Sequence, residues 1–283
     1  MLIRRQDLSV LLFYYLGYSR IRNLMFRLQR MPVARFITFH DIPPEAIGCF
    51  KANLYFLKRC TNVVSLDDYF SGRLSSDKIN VVVTFDDGFK SWVTDAIPVL
   101  KELVLPATFF LSAGFVGLSK KNESEFIRSK LFIEDVPHRR ITGGLNTDDV
   151  KRIVAEGFTV GGHTLNHCNL SKLHNSVQLR YEIAEDKMRL EKLTGSNIEY
   201  FAYPSGEHQN PEINLTEVLK ELGYRGAVSL IPGFNSVGTN PYLLCRELTY
   251  AWMPERVFRA MVCGNYDAVS FLKQQAQKIL RRR

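Results

Sequence analysis

No two cysteines of this chain stand at a CxxC spacing. The five present, Cys49, Cys60, Cys168, Cys245 and Cys263, are scattered and odd in number. That excludes a disulfide framework and leads us to expect reduced thiols and a cytoplasmic setting. A membrane-spanning run is also missing, because the apolar stretch Leu8 to Leu16 is too short to cross a bilayer. No small-residue cleavage site follows it; Tyr18-Ser19-Arg20 comes instead, so an uncleaved arm is expected rather than a removed signal. Repeats, low-complexity tracts and long linkers are absent, and 283 residues with a hydrophobic fraction of 46% suffice for one sizeable core.

Acidic charge is scarce at both ends. Residues 1–35 carry seven Arg against one Asp, and residues 273–283 carry two Lys and three Arg with no acid. The overall +8 therefore leaves residues 36–272 at net −3, which excludes a basic nucleic-acid groove in the body. The ends suit an anionic surface or solvated tails. We divide the chain into a basic amphipathic arm over 1–32, a body over 33–265 and a basic helix over 266–283. The arm, with Arg20, Arg22, Arg27 and Arg30 beside its apolar residues, either packs on the body or makes a peripheral contact on the inner face of a membrane through residues 1–30.

Within the body, strand and helix patterns alternate. Strands are expected at 33–39, 63–66, 81–85, 107–111, 158–160, 198–202, 225–230 and 242–248. Helices are expected at 45–60, at 89–103 with Pro98 as a kink, from a cap at Thr147-Asp148-Asp149 to Gly157, and at 175–194, 211–222 and 254–262. Residues 117–142 are charged and poorly periodic and read as a surface insertion, one wall of a cleft. Alternation of this kind predicts a parallel sheet with crossover helices, and seven or eight strands in a single domain suggest a barrel.

Chemistry concentrates where strands end. Val81-Val82-Val83-Thr84-Phe85 runs into Asp86-Asp87-Gly88, and adjacent carboxylates at a strand's carboxyl end repel each other unless a cation or a shared proton relieves them. Another strand runs through Gly161-Gly162 into His163-Thr164-Leu165-Asn166-His167. If that turn is helical, imidazoles four residues apart share one face. One Asp with two His makes a three-ligand set that leaves coordination positions open, as a catalytic zinc site requires; other divalent ions (cobalt, nickel, manganese) would accept the same donors. The second Asp then stays free as a base for a metal-bound water. Arg246, in the last strand, is the candidate to pair with Asp86 and tune it, against a surface salt bridge. His174 reads as a loop residue, His208 as a cleft-lining candidate, and His138 has no role.

Thr84-Phe85-Asp86-Asp87-Gly88, His163-Thr164-Leu165-Asn166-His167 and Tyr203-Pro204-Ser205-Gly206 resemble, in order, the first three motifs of the polysaccharide deacetylases, the NodB-homology family of carbohydrate esterases. The resemblance covers about residues 33–250 and makes 33–265 a deacetylase-like catalytic domain. It implies a distorted (β/α) barrel of six or seven parallel strands. It implies Asp86 as general base, Asp87, His163 and His167 as ligands of one divalent ion, zinc first, and an oxyanion held by that ion and the backbone N–H of Ser205. Tyr203, Pro204 and Gly206 accompany Ser205 as substrate-side residues. The implied reaction removes an acyl group, usually acetyl, from an amino sugar.

The chain departs from that pattern in three places. Ala202 stands where many members carry an Arg that steadies the base. Ser205 stands where a Tyr is usual. No His follows His208, so the C-terminal Leu-x-His acid is missing. A branch acting on poly-N-acetylglucosamine carries its acid near the N-terminus in a strand-end motif similar to Phe39-His40-Asp41-Ile42. That assigns His40 as acid, against a structural histidine, with Asp41 as its orienting partner. The expected substrate is an amino-sugar glycan or, given the arm and the reduced cysteines, a lipid-linked saccharide at the cytoplasmic membrane face. The family also contains a deformylase of such lipids. The alternatives are an amidase of a non-sugar C–N bond and a sugar-binding protein with a degenerate site.

Overall fold

The computed structural model describes residues 11–131 and 141–267. Residues 1–10, most of the expected helix at 266–283, and His138 lie outside the described residues. Eight parallel strands form one curled sheet: β1 (Ala34–Phe39), β2 (Asn62–Val63), β3 (Asn80–Asp87), β4 (Thr108–Leu111), β5 (Thr159–Gly162), β6 (Tyr200–Ala202), β7 (Gly226–Val228) and β8 (Glu247–Leu248). Seven of them run in the order β7-β6-β5-β4-β3-β1-β8, and β2 sits beside the start of β3. Residues 244–248 join the two ends, since Leu244 bridges to Val228 while β8 pairs with β1. The result is the expected distorted (β/α) barrel.

Side-chain parity divides the core. Phe36, Val82, Phe110, Tyr200, Ala202 and Val228 fill the barrel interior. Their neighbours in sequence, Ile37, Phe39, Val81, Val83, Phe85, Phe109 and Phe201, face the surrounding helices, as the two-residue period of a strand requires. Thr84 and Asp86 share the parity of Val82 and so point inward.

Nine helices are described by residue range: α1 (Tyr18–Leu28), α2 (Ile47–Cys60), α3 (Leu66–Phe70), α4 (Ile97–Leu103), α5 (Lys120–Ser129), α6 (Thr147–Ala155), α7 (Ser176–Thr194), α8 (Leu215–Glu221) and α9 (Glu255–Val262). Several expectations need correction. Leu66 belongs to a helix rather than a strand, because Ser65 and Asp68 close a capping box in front of it. The turn before α4 is π-helical over Trp92–Ala96, where the N–H of Ile97 reaches back to Trp92; the widened turn accommodates Pro98, which lacks an N–H and crowds a tighter one. The supposedly irregular 117–142 contains α5, capped by Ser119 and held through buried Phe126 and Ile127. The helix expected at 211–222 starts only at Leu215, after the Asn214 cap. The cap of α6 is Asn146, reciprocated by Asp149.

Candidate metal centre and catalytic cleft

Register places the chemistry in one layer. Phe39 pairs with Phe85, so His40 and Asp86 come next, abreast. Leu111 pairs with Gly162 and Gly162 with Phe201, so Ser112, His163 and Ala202 follow at the same height. All stand at the carboxyl ends of parallel strands, where barrels carry their sites. A cavity of about 280 Å³ opens there, lined by His40, Asp41, Asp86, Asp87, His163, His167 and Ser205 among others. Asp86 and Asp87 would point to opposite faces of a regular strand. A left-handed φ of 89° at Asp87 turns the chain so that both reach the cavity.

The His pair is not helical. His163 to His167 form a turn with left-handed φ of 60° at Thr164 and 51° at His167. This backbone strain, uncommon at non-glycine residues and concentrated at sites, does what the helical reading assigned to periodicity. The rings lie 5.0 Å apart. His163 Nδ1 lies 2.7 Å from the Ala202 carbonyl and His167 Nδ1 lies 2.8 Å from that of Lys130. A carbonyl only accepts, so each Nδ1 is assigned the proton and each Nε2 presents a lone pair. Those nitrogens stand 3.5 and 3.4 Å from Asp87 Oδ1.

Asp87 Oδ1 is buried and has no hydrogen-bond partner. A carboxylate oxygen and two imidazole lone pairs, mutually within 4.8 Å, face one another with no donor among them. That is costly unless a cation lies between. The donor set therefore fits a divalent ion, and one carboxylate with two imidazoles suits zinc and its neighbours. Burial pushes the Asp87 carboxyl up, but the surrounding His40, His163 and His167 hold it well below the ordinary range. Burial pushes His163 down, yet the two carboxylates raise it overall; His167, where burial dominates, is lowered. A bound cation would displace the proton those carboxylates draw toward His163.

Asp86 is separated from this cluster by its partner. Arg246 grips it with two parallel bonds of 2.6 Å, from Nη1 to Oδ1 and from Nη2 to Oδ2. The guanidinium is fully buried. It also donates to Thr84 Oγ1 and the Ser229 carbonyl and lies 5.7 Å from the Phe110 ring centroid. Burial opposes the charge on Asp86, and Arg246 outweighs it, so the carboxyl is lowered. Asp86 is thus ionised and aligned bidentately. Ala202, small and inward-facing, leaves the barrel interior to this guanidinium. Arg246 thus pairs with Asp86 as expected, and its burial excludes the alternative of a surface salt bridge.

The other expected residues divide between the cavity and places away from it. Ser205 lines the cavity with a left-handed φ of 57°. Tyr203, Pro204 and Gly206 do not line it: the Tyr203 hydroxyl donates inward to the Tyr242 carbonyl, and a Cβ on Gly206 would strike Leu230. Asp41 accepts from Ser91 Oγ and from the backbone N–H and hydroxyl of Thr142, which fixes the loop carrying His40. His208 bonds the Gly206 carbonyl and lines a separate depression, and His174 pairs with Glu212 on the surface.

Sequence reasoning missed two groups. Glu182 and Asp186, one turn apart on the buried side of α7, hold the His turn. Asp186 accepts from the N–H groups of His163 and Ala113, and Glu182 from the N–H and side-chain amide of Asn166. Their signal was two acids amid buried Leu179, Ile183 and Leu190. Tyr250 and Trp252, rings 5.2 Å apart, line the cavity directly after β8, and their signal was position just past a strand end. Leu131, after α5, completes the wall expected of the insertion.

Fold and site together define a (β/α)-barrel protein with a carboxylate–imidazole cluster that could hold a metal ion and a separately paired carboxylate at its mouth. The polysaccharide deacetylase family model matches residues 74–227, and the chain belongs to that family. YxkH of Bacillus subtilis (strain 168), named as a candidate polysaccharide deacetylase, is 25% identical over 182 residues, which are 64% of this chain and 56% of that protein. The chain thus spans about half the length of that relative. The structure of the Streptococcus pyogenes deacetylase PplD in complex with acetate is similar in fold (TM-score 0.63, 20% identity, 82% of this chain and 99% of that one). So is IcaB from Ammonifex degensii (TM-score 0.62, 24% identity, 83% and 97%).

Proposed function

We propose that this chain is a metal-dependent hydrolase that removes an N-acyl group, acetyl first, from an amino sugar of a glycan. The observation that carries this reading is the unpartnered Asp87 Oδ1 facing two imidazole lone pairs beside the Arg246-paired Asp86. Asp87, His163 and His167 would hold the ion, zinc by preference. When bound, such an ion polarises an amide carbonyl and makes hydroxide available at neutral pH.

The chain's own groups divide the remaining work. Asp86, held ionised, takes the proton from the attacking water. The N–H of Ser205 stabilises the oxyanion, a backbone role indifferent to the loss of the usual tyrosine. His40, abreast of Asp86 at the end of the neighbouring strand, gives its proton to the departing amine as the C–N bond breaks, which leaves acetate and a free amine. The Tyr250–Trp252 wall offers aromatic faces for the apolar face of a pyranose, which favours a sugar over a compact cyclic amide.

The test is acetate release from N-acetylglucosamine oligomers, with metal content measured on the same preparations. Wild type should hold one divalent ion per chain and turn over. Asp86→Asn should keep the ion and lose turnover by more than about a hundredfold, while His163→Ala loses both. No ion under any loading, or full activity in Asp86→Asn, would defeat the reading. His40→Asn should remove the basic limb of the pH–rate profile, and an unchanged limb would take His40 out of the reaction.

A further inference from the structure

Nine of the sixteen exposed large apolar side chains among the described residues fall between Leu12 and Met31. On α1 they form a stripe. Ser19 is buried, and Arg22 and Phe26 face the body: Arg22 bonds Asp267 and the Cys263 carbonyl, and the Phe26 ring packs 5.7 Å from that of Phe234. At 100° per residue the opposite arc holds Ile21, Leu24, Met25 and Leu28, which are 64%, 55%, 52% and 75% exposed. Arg20 and Arg27 both border one edge of this arc, beside Leu24. No Asp or Glu occurs from Leu8 to His40, against five Arg.

The arm also has a definite pole. Asn23, Phe26 and Met31 meet Val33, Lys78 and Ile79 in one crevice, at the starts of β1 and β3. The cleft opens at the ends of those strands. Eight extended residues in β3 separate the poles by about 26 Å.

We propose that the exposed stripe of residues 12–31 docks on an anionic bilayer surface and leaves the catalytic mouth facing away from the lipid. An apolar arc edged by arginines is the pattern of a helix lying in the interface plane, and no described helix is long and apolar enough to cross a membrane. The docking requires no catalytic assignment. Combined with the deacetylase reading, on which this selection rests, it favours glycan that extends away from the surface over a sugar held among the head groups.

The full chain should co-sediment with vesicles containing phosphatidylglycerol, weakly with pure phosphatidylcholine, and less in high salt. The double substitution Leu24→Ser and Leu28→Ser should weaken binding by about tenfold or more. Arg20→Gln with Arg27→Gln should weaken it by about fivefold per arginine. Melting temperature and acetate release from soluble oligomers should stay at wild-type values in these surface variants. Orientation is read with brominated lipids: the emission of native Trp92 and Trp252 should be unquenched on binding, while Leu24→Trp adds a quenched signal. Absent binding, equal binding by the double serine variant, or quenching of the native tryptophans overturns the proposal. So does light scattering that shows the stripe buried in a dimer, which would make a second copy its occupant.

Discussion

At the scale of the residue, one arginine decides how two adjacent carboxylates differ. Asp86 and Asp87 are both buried, but only Asp86 is bound bidentately by Arg246. Its lowered carboxyl is ionised above the ordinary carboxylate range, so its contribution to stability is present there and is lost as pH falls through the lowered folded-state value. Arg246→Met leaves Asp86 buried without its counter-charge, and burial alone raises a carboxyl. The acid limb of kcat/KM should therefore move to higher pH, the maximum should drop by about a hundredfold as the carboxylate loses alignment, and stability should fall by about 3–5 kcal/mol. A pH–rate profile beside a melting curve checks all three, and Arg246→Lys should recover only part because one ammonium cannot make the fork. Arg246 was legible as a candidate from its place in the last strand. Its burial was not, because only the register between distant strands brings it within reach of Asp86.

At the scale of the element, a helix braces a strained turn. The left-handed residues Thr164 and His167 cost free energy that the rest of the fold must offset, and α7 does so through Glu182 and Asp186. Close packing leaves little slack beneath: a Cβ on Gly162 would lie 2.6 Å from the Tyr224 hydroxyl, and one on Gly161 would strike Phe110. Asp186→Asn can accept only one of the two N–H groups that Asp186 now accepts. It should weaken metal affinity by about 10–100-fold, measured by titration against a competing chelator, with His163 and His167 intact. Burial pushes the Asp186 carboxyl up to about 7, so in metal-free protein its contribution is full below the unfolded value of about 4 and is lost as pH rises through 7. Asp186→Asn should remove that segment of the stability–pH curve. Helix periodicity located α7 in the sequence, but which of its acids faces the turn depends on how the helix lies across β5.

At the scale of the molecule, closure is what assembles the site. Residues 244–248 bridge β7 to β1 and in doing so carry Arg246 into the interior and Tyr250 and Trp252 to the mouth. Binding an ion at the mouth should stabilise the native state as a whole, because the unfolded chain lacks the preformed donors. At a hundredfold excess over Kd the linkage is about 2.7 kcal/mol, a rise in Tm on the order of 5–10 °C for a chain of this size. Calorimetry should show that rise with zinc, its reversal by a chelator, and no response in His163→Ala. The arm adds polarity, since the exposed stripe and the cleft occupy opposite ends of the barrel.

What the amino-acid order determined by itself was local: which segments alternate as strand and helix, that Asp-Asp-Gly and His-x-x-x-His end strands, and that three motifs succeed one another in the family's order. These follow from periodicity and from short-range chemistry, which neighbours in sequence carry. The tertiary structure decided the rest. It turned the His pair through left-handed backbone rather than a helix, supplied Glu182 and Asp186 from α7, drew Arg246 across more than 150 residues of chain to Asp86, and set the arm opposite the cleft. Those pairings are contacts between residues far apart in the chain, and their geometry exists only once the sheet has curled and closed.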